Sequence, residues 1–136
     1  MEASEKPPAM ESEKTVFETK SSIIIVGANQ SETDMLARWL EKDGFDIQRV
    51  FSPEEMGKSL QQGKPVAAVI DITGFDQRGW KHTRKLGEAK IPFIIVAPQR
   101  SPTVQRQSIE AGANGVLIKP VRAEELSQHI HTMLGN

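Results

Sequence analysis

The chain has no cysteine and no tyrosine, and aromatic residues make up only 5% of it. Without cysteine there is no disulfide, no thiol chemistry and no thiolate metal site. Apolar runs stop at about five or six residues, far short of the roughly 20 that a membrane-spanning helix needs. The N-terminus lacks a basic stretch leading into an apolar one, so no signal peptide is expected, and a cytoplasmic location is the simplest expectation. Charge of one sign is not in excess either: 17 Lys and Arg meet 18 Asp and Glu, for a net charge of -1. That balance points neither to nucleic acid nor to an anionic membrane. Gly27-Ala28-Asn29 follows an apolar run, but G-x-G-x-x-G and G-x-x-x-x-G-K-[ST] are both absent, which removes the common nucleotide loops.

What is present is a regular alternation. The 136 residues suit a single domain, and 38% hydrophobic with 26% charged residues fits a globular one. Residues 1–21 read as a flexible tail: five Glu, three Lys and the Pro7-Pro8 pair leave little apolar surface to bury. Residues 22–136 read as the folded domain. Ile23 to Val26, Phe45 to Val50, Val66 to Ile70, Phe93 to Val96 and Val116 to Ile118 are the expected strands. Between them lie amphipathic stretches. Met35, Leu36, Trp39 and Leu40 share one helical face, with Ser31 as the expected N-cap and Gly44 as the stop. Ser52-Pro53 and Ser101-Pro102 each combine a cap with Pro at the first helical position. Trp80, Thr83 and Leu86 mark a third helix, and Leu126, Ile130, Met133 and Leu134 a last one. Strands alternating with helices imply right-handed crossovers and a parallel sheet covered on both faces. The order 2-1-3-4-5 is the common solution at this size, a flavodoxin-like, doubly wound α/β fold.

In such a sheet, ligands bind outside the carboxyl ends of the strands. Asp71 closes the third strand and Lys119 the fifth, so the two should face each other across that edge. Gly27-Ala28 closes the first and brings no charge.

Four features together resemble the receiver domain of response regulators, the module of two-component signalling. They are Asp71 at the end of the third strand, Lys119-Pro120 at the end of the fifth, the turn Glu110 to Gly115 before it, and Gly79 eight residues after Asp71. The resemblance implies that Asp71 is the phospho-acceptor, that Lys119 contacts the phosphoryl group, and that the Lys119–Pro120 bond is cis. It also implies a pair of metal-holding acids after the first strand, where this chain has Gly27 and Ala28. It implies a switch hydroxyl at position 97 and an aromatic switch residue at position 116, where this chain has Ala97 and Val116.

Those departures carry a physical expectation. Mg²⁺ needs an octahedral shell of oxygens and neutralises charge as a phosphoryl group transfers. Asp71, the Thr73 carbonyl and water are a poor set, so at most a weakly held Mg²⁺ is expected, and tight binding would require an acid such as Glu32 or Asp76. The expected function is therefore an atypical receiver, not an enzyme, that works as a protein-interaction module in signal transduction. The resemblance places its output surface on the fourth helix, fifth strand and fifth helix, around Val104, Ile109, Val116, Leu126 and His129 or their exposed neighbours. Other signalling proteins are the expected partners, and a homodimer is compatible with the sequence. The rival is a working receiver in which Asp71 takes a phosphoryl group from a histidine kinase. A flavin carrier is a weaker third reading, because Tyr and a Ser/Thr-rich phosphate loop are missing. An ordinary structural ion pair would also explain Asp71 and Lys119. Arg78 and the run Lys81-His82-Thr83-Arg84-Lys85 read as solvated charge on one helix.

Overall fold

The computed structural model describes residues 22–135, so the expected tail at 1–21 lies outside the described residues. Five strands alternate with five helices: β1 (Ser22–Val26), α1 (Gln30–Lys42), β2 (Asp46–Val50), α2 (Pro53–Leu60), β3 (Ala67–Asp71), α3 (Gln77–Glu88), β4 (Phe93–Ala97), α4 (Pro102–Ala111), β5 (Gly115–Ile118) and α5 (Ala123–Met133). The strands form one sheet in the order β2-β1-β3-β4-β5, and every pairing is parallel. This is the fold and strand order expected from the alternation of elements.

The side-chain period of a strand explains how one sheet builds two cores. Ile24 and Val26 face one side with Ala68, Ile70, Phe93 and Ile95, and there they meet Met56 of α2, Trp80 and Leu86 of α3 and Ala111 of α4. Ile23 and Ile25 face the other side with Val69, Ile94 and Val96, against Leu36 and Leu40 of α1 and Leu126 and Ile130 of α5. The central strands are thus buried on both faces, which is why their sequences run apolar without alternation. Fully burying each Ile or Leu contributes about 1.5–3 kcal/mol. The outer strand β2 alternates exposed Asp46 and Gln48 with partly buried Ile47 and Arg49, as an edge strand should.

Helix starts follow their caps. Ser52 and Ser101 accept hydrogen bonds from the Glu55 and Val104 amides, with Pro53 and Pro102 opening the helices. The first helix differs from expectation: Asn29, not Ser31, is its cap, and it accepts from the Glu32 amide at 2.9 Å. Two other readings are corrected. Met35 is exposed, whereas Leu36 and Leu40 hold the core. Leu126 is fully buried under the sheet and cannot belong to an output surface.

Helices α3 and α4 touch through a glycine contact that invites a test. A Cβ on Gly87 would stand 2.6 Å from the Ala111 carbonyl oxygen, a backbone atom at the end of α4. Gly87→Ala must push the two helices apart and is expected to cost about 1–2 kcal/mol despite Ala's better helix propensity. Urea denaturation measures this directly, and a stabilised variant would show that the crossing is loose.

Candidate functional site

The carboxyl ends of β1, β3 and β5 converge on Asp71. Its side chain is 6% exposed, and Lys119 Nζ lies 2.9 Å from Oδ2. The Lys119–Pro120 bond is cis, as the resemblance implied. The expected juxtaposition across the sheet edge is therefore present.

Three further residues complete the site. Thr73 donates twice to Asp71 Oδ1, from its amide at 3.0 Å and its hydroxyl at 2.7 Å. This is a local turn closed by an aspartate two residues back. Glu32, in the first turn of α1, accepts from Lys119 Nζ at 2.6 Å. The ammonium also donates to Thr73 Oγ1 at 3.2 Å. Lys119 thus has a partner for each of its three protons: Asp71, Glu32 and Thr73. Partial burial opposes its charge, but hydrogen bonds and attraction from Glu32 and Asp71 more than offset this, so its pKa stands above the usual lysine value.

The third residue fills the space that an acid after β1 would use. A Cβ on Gly27 would stand 3.4 Å from Asp71 Cβ and only 2.6 Å from Thr33 Oγ1. Thr33 is buried and donates its hydroxyl to the Gly27 carbonyl at 3.2 Å. Position 27 therefore points at Asp71 but has no room for a side chain, while Ala28 is exposed.

Mg²⁺ does not fit these residues. Both Asp71 oxygens already accept from the protein, Glu32 is held by Lys119, and Gly27 and Ala28 offer no side-chain oxygen. Among the described residues no three His, Cys, Asp or Glu are grouped to hold a metal ion. Asp76, the other acid considered, is not at the site. It caps α3 by accepting from the Arg78 and Gly79 amides. Its pKa is lowered, chiefly by the Gly79 amide and the Arg78 side chain.

The remaining candidate positions flank this centre. Ala97 ends β4 fully buried in the core, with no hydroxyl to offer. Val116 is half-buried on β5 and packs against the same core cluster as Val104. On α3, Lys81, Arg84 and Lys85 are exposed and Thr83 and Leu86 point inward, as the solvated-face reading expects. Met35 lines a cleft of about 340 Å³ beside Asp71 and Lys119, together with Leu36, Val96 and Val121. Its exposure reflects that cleft.

A family model described as the response regulator receiver domain matches residues 23–131. The chain belongs to that family. The two-component response regulator ORR3 of Oryza sativa is 29% identical over 124 residues, covering 86% of this chain and 93% of that protein. Protein RcaC of Microchaete diplosiphon is 25% identical over 117 residues, covering 83% of this chain but 18% of its own length. Among solved structures, a CheY-like receiver domain protein from Methanospirillum hungatei superposes with a TM-score of 0.78 at 23% identity, covering 85% of this chain and 94% of the other. A two-component response regulator from Clostridium difficile gives 0.78 at 20% identity, covering 86% and 98%. At such identities the structural likeness speaks for the fold. The receiver domain is a signalling module, and no helix among the described residues is long and apolar enough to cross a membrane.

Some of this site escaped the sequence reading. Thr73 was considered only for its carbonyl, yet its hydroxyl and amide hold Asp71. The spacing Asp71-Ile72-Thr73 at a strand end was the available signal, since Asp side chains often bond the amide two residues on. Thr33 had no such signal.

Proposed function

We propose that this receiver domain acts as a protein-interaction module and that Asp71 does not take up a phosphoryl group with Mg²⁺. The supporting observation is the missing donor set beside Asp71: position 27 has no room for a side chain, Ala28 brings no side-chain oxygen, and Glu32 is engaged by Lys119. An acyl phosphate forms only when a carboxylate oxygen is free to attack phosphorus. Oδ2 keeps a lone pair for that attack, but the one carboxylate near it, Glu32, already pairs with Lys119, so no acid is left to hold a neutralising cation. Ala97 and Val116 supply neither the hydroxyl nor the aromatic rotor that would relay such a change. The docking face in this reading comprises α4, β5 and α5, with Val104, Val116 and Ile109 among its side chains; Ile109 is 67% exposed. Other signalling proteins are its partners.

The retained contact between Asp71 and Lys119 favours the second reading, a phospho-receiver served by a histidine kinase. Acetyl phosphate with and without Mg²⁺, followed by intact mass measurement, separates the two. The expected result is no adduct in either condition. A Mg²⁺-dependent adduct that disappears in Asp71→Asn would establish the second reading instead.

A further inference from the structure

The cleft beside Asp71 has an apolar lining that the ion pair does not explain. Glu32, Met35 and Leu36 stand three and four residues apart on α1, so they share one side of the helix. Pro120 and Val121, just after β5, supply another wall, and the buried Val96 of β4 lies beneath. The charged members of the lining are Glu32, Asp71 and Lys119, for a net charge of -1. Lys119 has a protein oxygen for each of its three protons, which leaves the cleft no spare cationic donor. Asp71 is buried. Glu32 differs from both: its side chain is 44% exposed, and among the described residues only its Oε1 has a partner. Glu32 Oε2 remains able to accept from a molecule in the cleft.

We propose that this cleft binds a small primary amine with a ring-sized apolar body. The ammonium donates to Glu32 Oε2, and the body lies among Met35, Leu36 and Val121. The inference goes beyond the interaction-module reading and does not depend on it, because the lining is the same whether or not Asp71 reacts. About 340 Å³ is the small end of ligand sites, which are mostly apolar with a few placed polar groups. Hydrogen bonds between ionised partners are the strong ones, so the carboxylate selects the head group. Met35, unbranched and polarizable, can adapt to the outline of the body. An anion, phosphate included, would meet a net negative lining and no free donor. A neutral apolar molecule would leave the Glu32 carboxylate unmatched as it loses water.

The test is an NMR titration of the full chain with tryptamine as the probe. Saturable shifts are expected at residues 32–36, 96 and 119–121, with the Met35 methyl signal moved by the bound ring. Indole-3-acetate, with the same ring and an anionic head, should bind at least about tenfold more weakly, the worth of one charge-assisted hydrogen bond. Glu32→Gln should remove that preference for the amine. Its amide oxygen can still accept from Lys119, so the fold should survive, and circular dichroism checks that it does. Val121→Trp, which fills the cleft, should abolish binding independently. Glu54→Gln, an exposed acid in the first turn of α2, should leave binding unchanged. The proposal is overturned by an absence of saturable shifts at millimolar tryptamine, by shifts centred outside the cleft, or by equal binding of indole-3-acetate. Undiminished tryptamine binding by Glu32→Gln would overturn it too. So would shifts in the cleft with a lysine-containing peptide but none with tryptamine, which would assign the cleft to a protein partner.

Discussion

Lys119→Met should lower the unfolding free energy by about 2–3 kcal/mol near neutral pH. Removing one partner of a buried pair commonly costs about 3–5 kcal/mol, because the other charge is left without compensation. Lys119 is 25% exposed, so water screens part of that loss and the expected cost falls to the bottom of that range or just below it. Asp71 also keeps its two hydrogen bonds from Thr73. The pH dependence has a definite sign. The folded-state pKa of Lys119 is raised above the ordinary 10.5. Its contribution is therefore complete below the unfolded value and fades as pH rises through the folded one. Denaturation of both proteins near neutrality and above about pH 11 should show the gap between them narrowing on the alkaline side. A gap that widens there would assign the stabilisation to some group other than the ammonium. Asp71→Asn should be milder, about 1 kcal/mol, since the amide oxygen can still accept from Thr73.

Gly27→Asp is expected to destabilise by about 3 kcal/mol, and Ala28→Asp by less than about 0.5 kcal/mol. The adjacent positions differ because of one neighbour. A side chain at 27 meets the Thr33 hydroxyl at 2.6 Å, and Thr33 is buried, β-branched and bonded to the Gly27 carbonyl, so it has little freedom to yield. The new carboxylate would also face Asp71, a like charge. Ala28 opens to solvent. Thr33→Ala in the Gly27→Asp background should recover part of the loss. Adding Ala28→Asp to that pair should create saturable Mg²⁺ binding, followed by tryptophan fluorescence, where the unaltered domain shows little response. Equal stability of Gly27→Asp and the parent protein would remove Thr33 from the explanation. Strong Mg²⁺ saturation of the parent would overturn the reading of the donor set.

What the sequence determined by itself was the architecture and the two charged ends of the site. Strands buried on both faces must be continuous apolar runs, and Ser-Pro pairs and glycines mark helix ends locally, so both signals survive in one dimension. Asp71 and Lys119 were legible for the same reason: each is the first polar residue after such a run, and parallel strands end at a shared edge. The errors fell where three-dimensional direction mattered. Asn29 took the cap expected of Ser31, which fixed where the first turn of α1 begins. Met35 sits on the apolar face by spacing, yet the cleft beside Asp71 lets it face solvent. Leu126 was assigned to an outer surface although its position on α5 points at the sheet. Only the tertiary structure decided the chemistry around Asp71. Glu32 and Thr33 are consecutive on one helix, but one turns to Lys119 and the other into the space beside Gly27. A helix turns about 100° per residue, so neighbours in sequence serve different surroundings. What they meet depends on how α1 seats on the sheet, a fact set by packing and carried by no local motif.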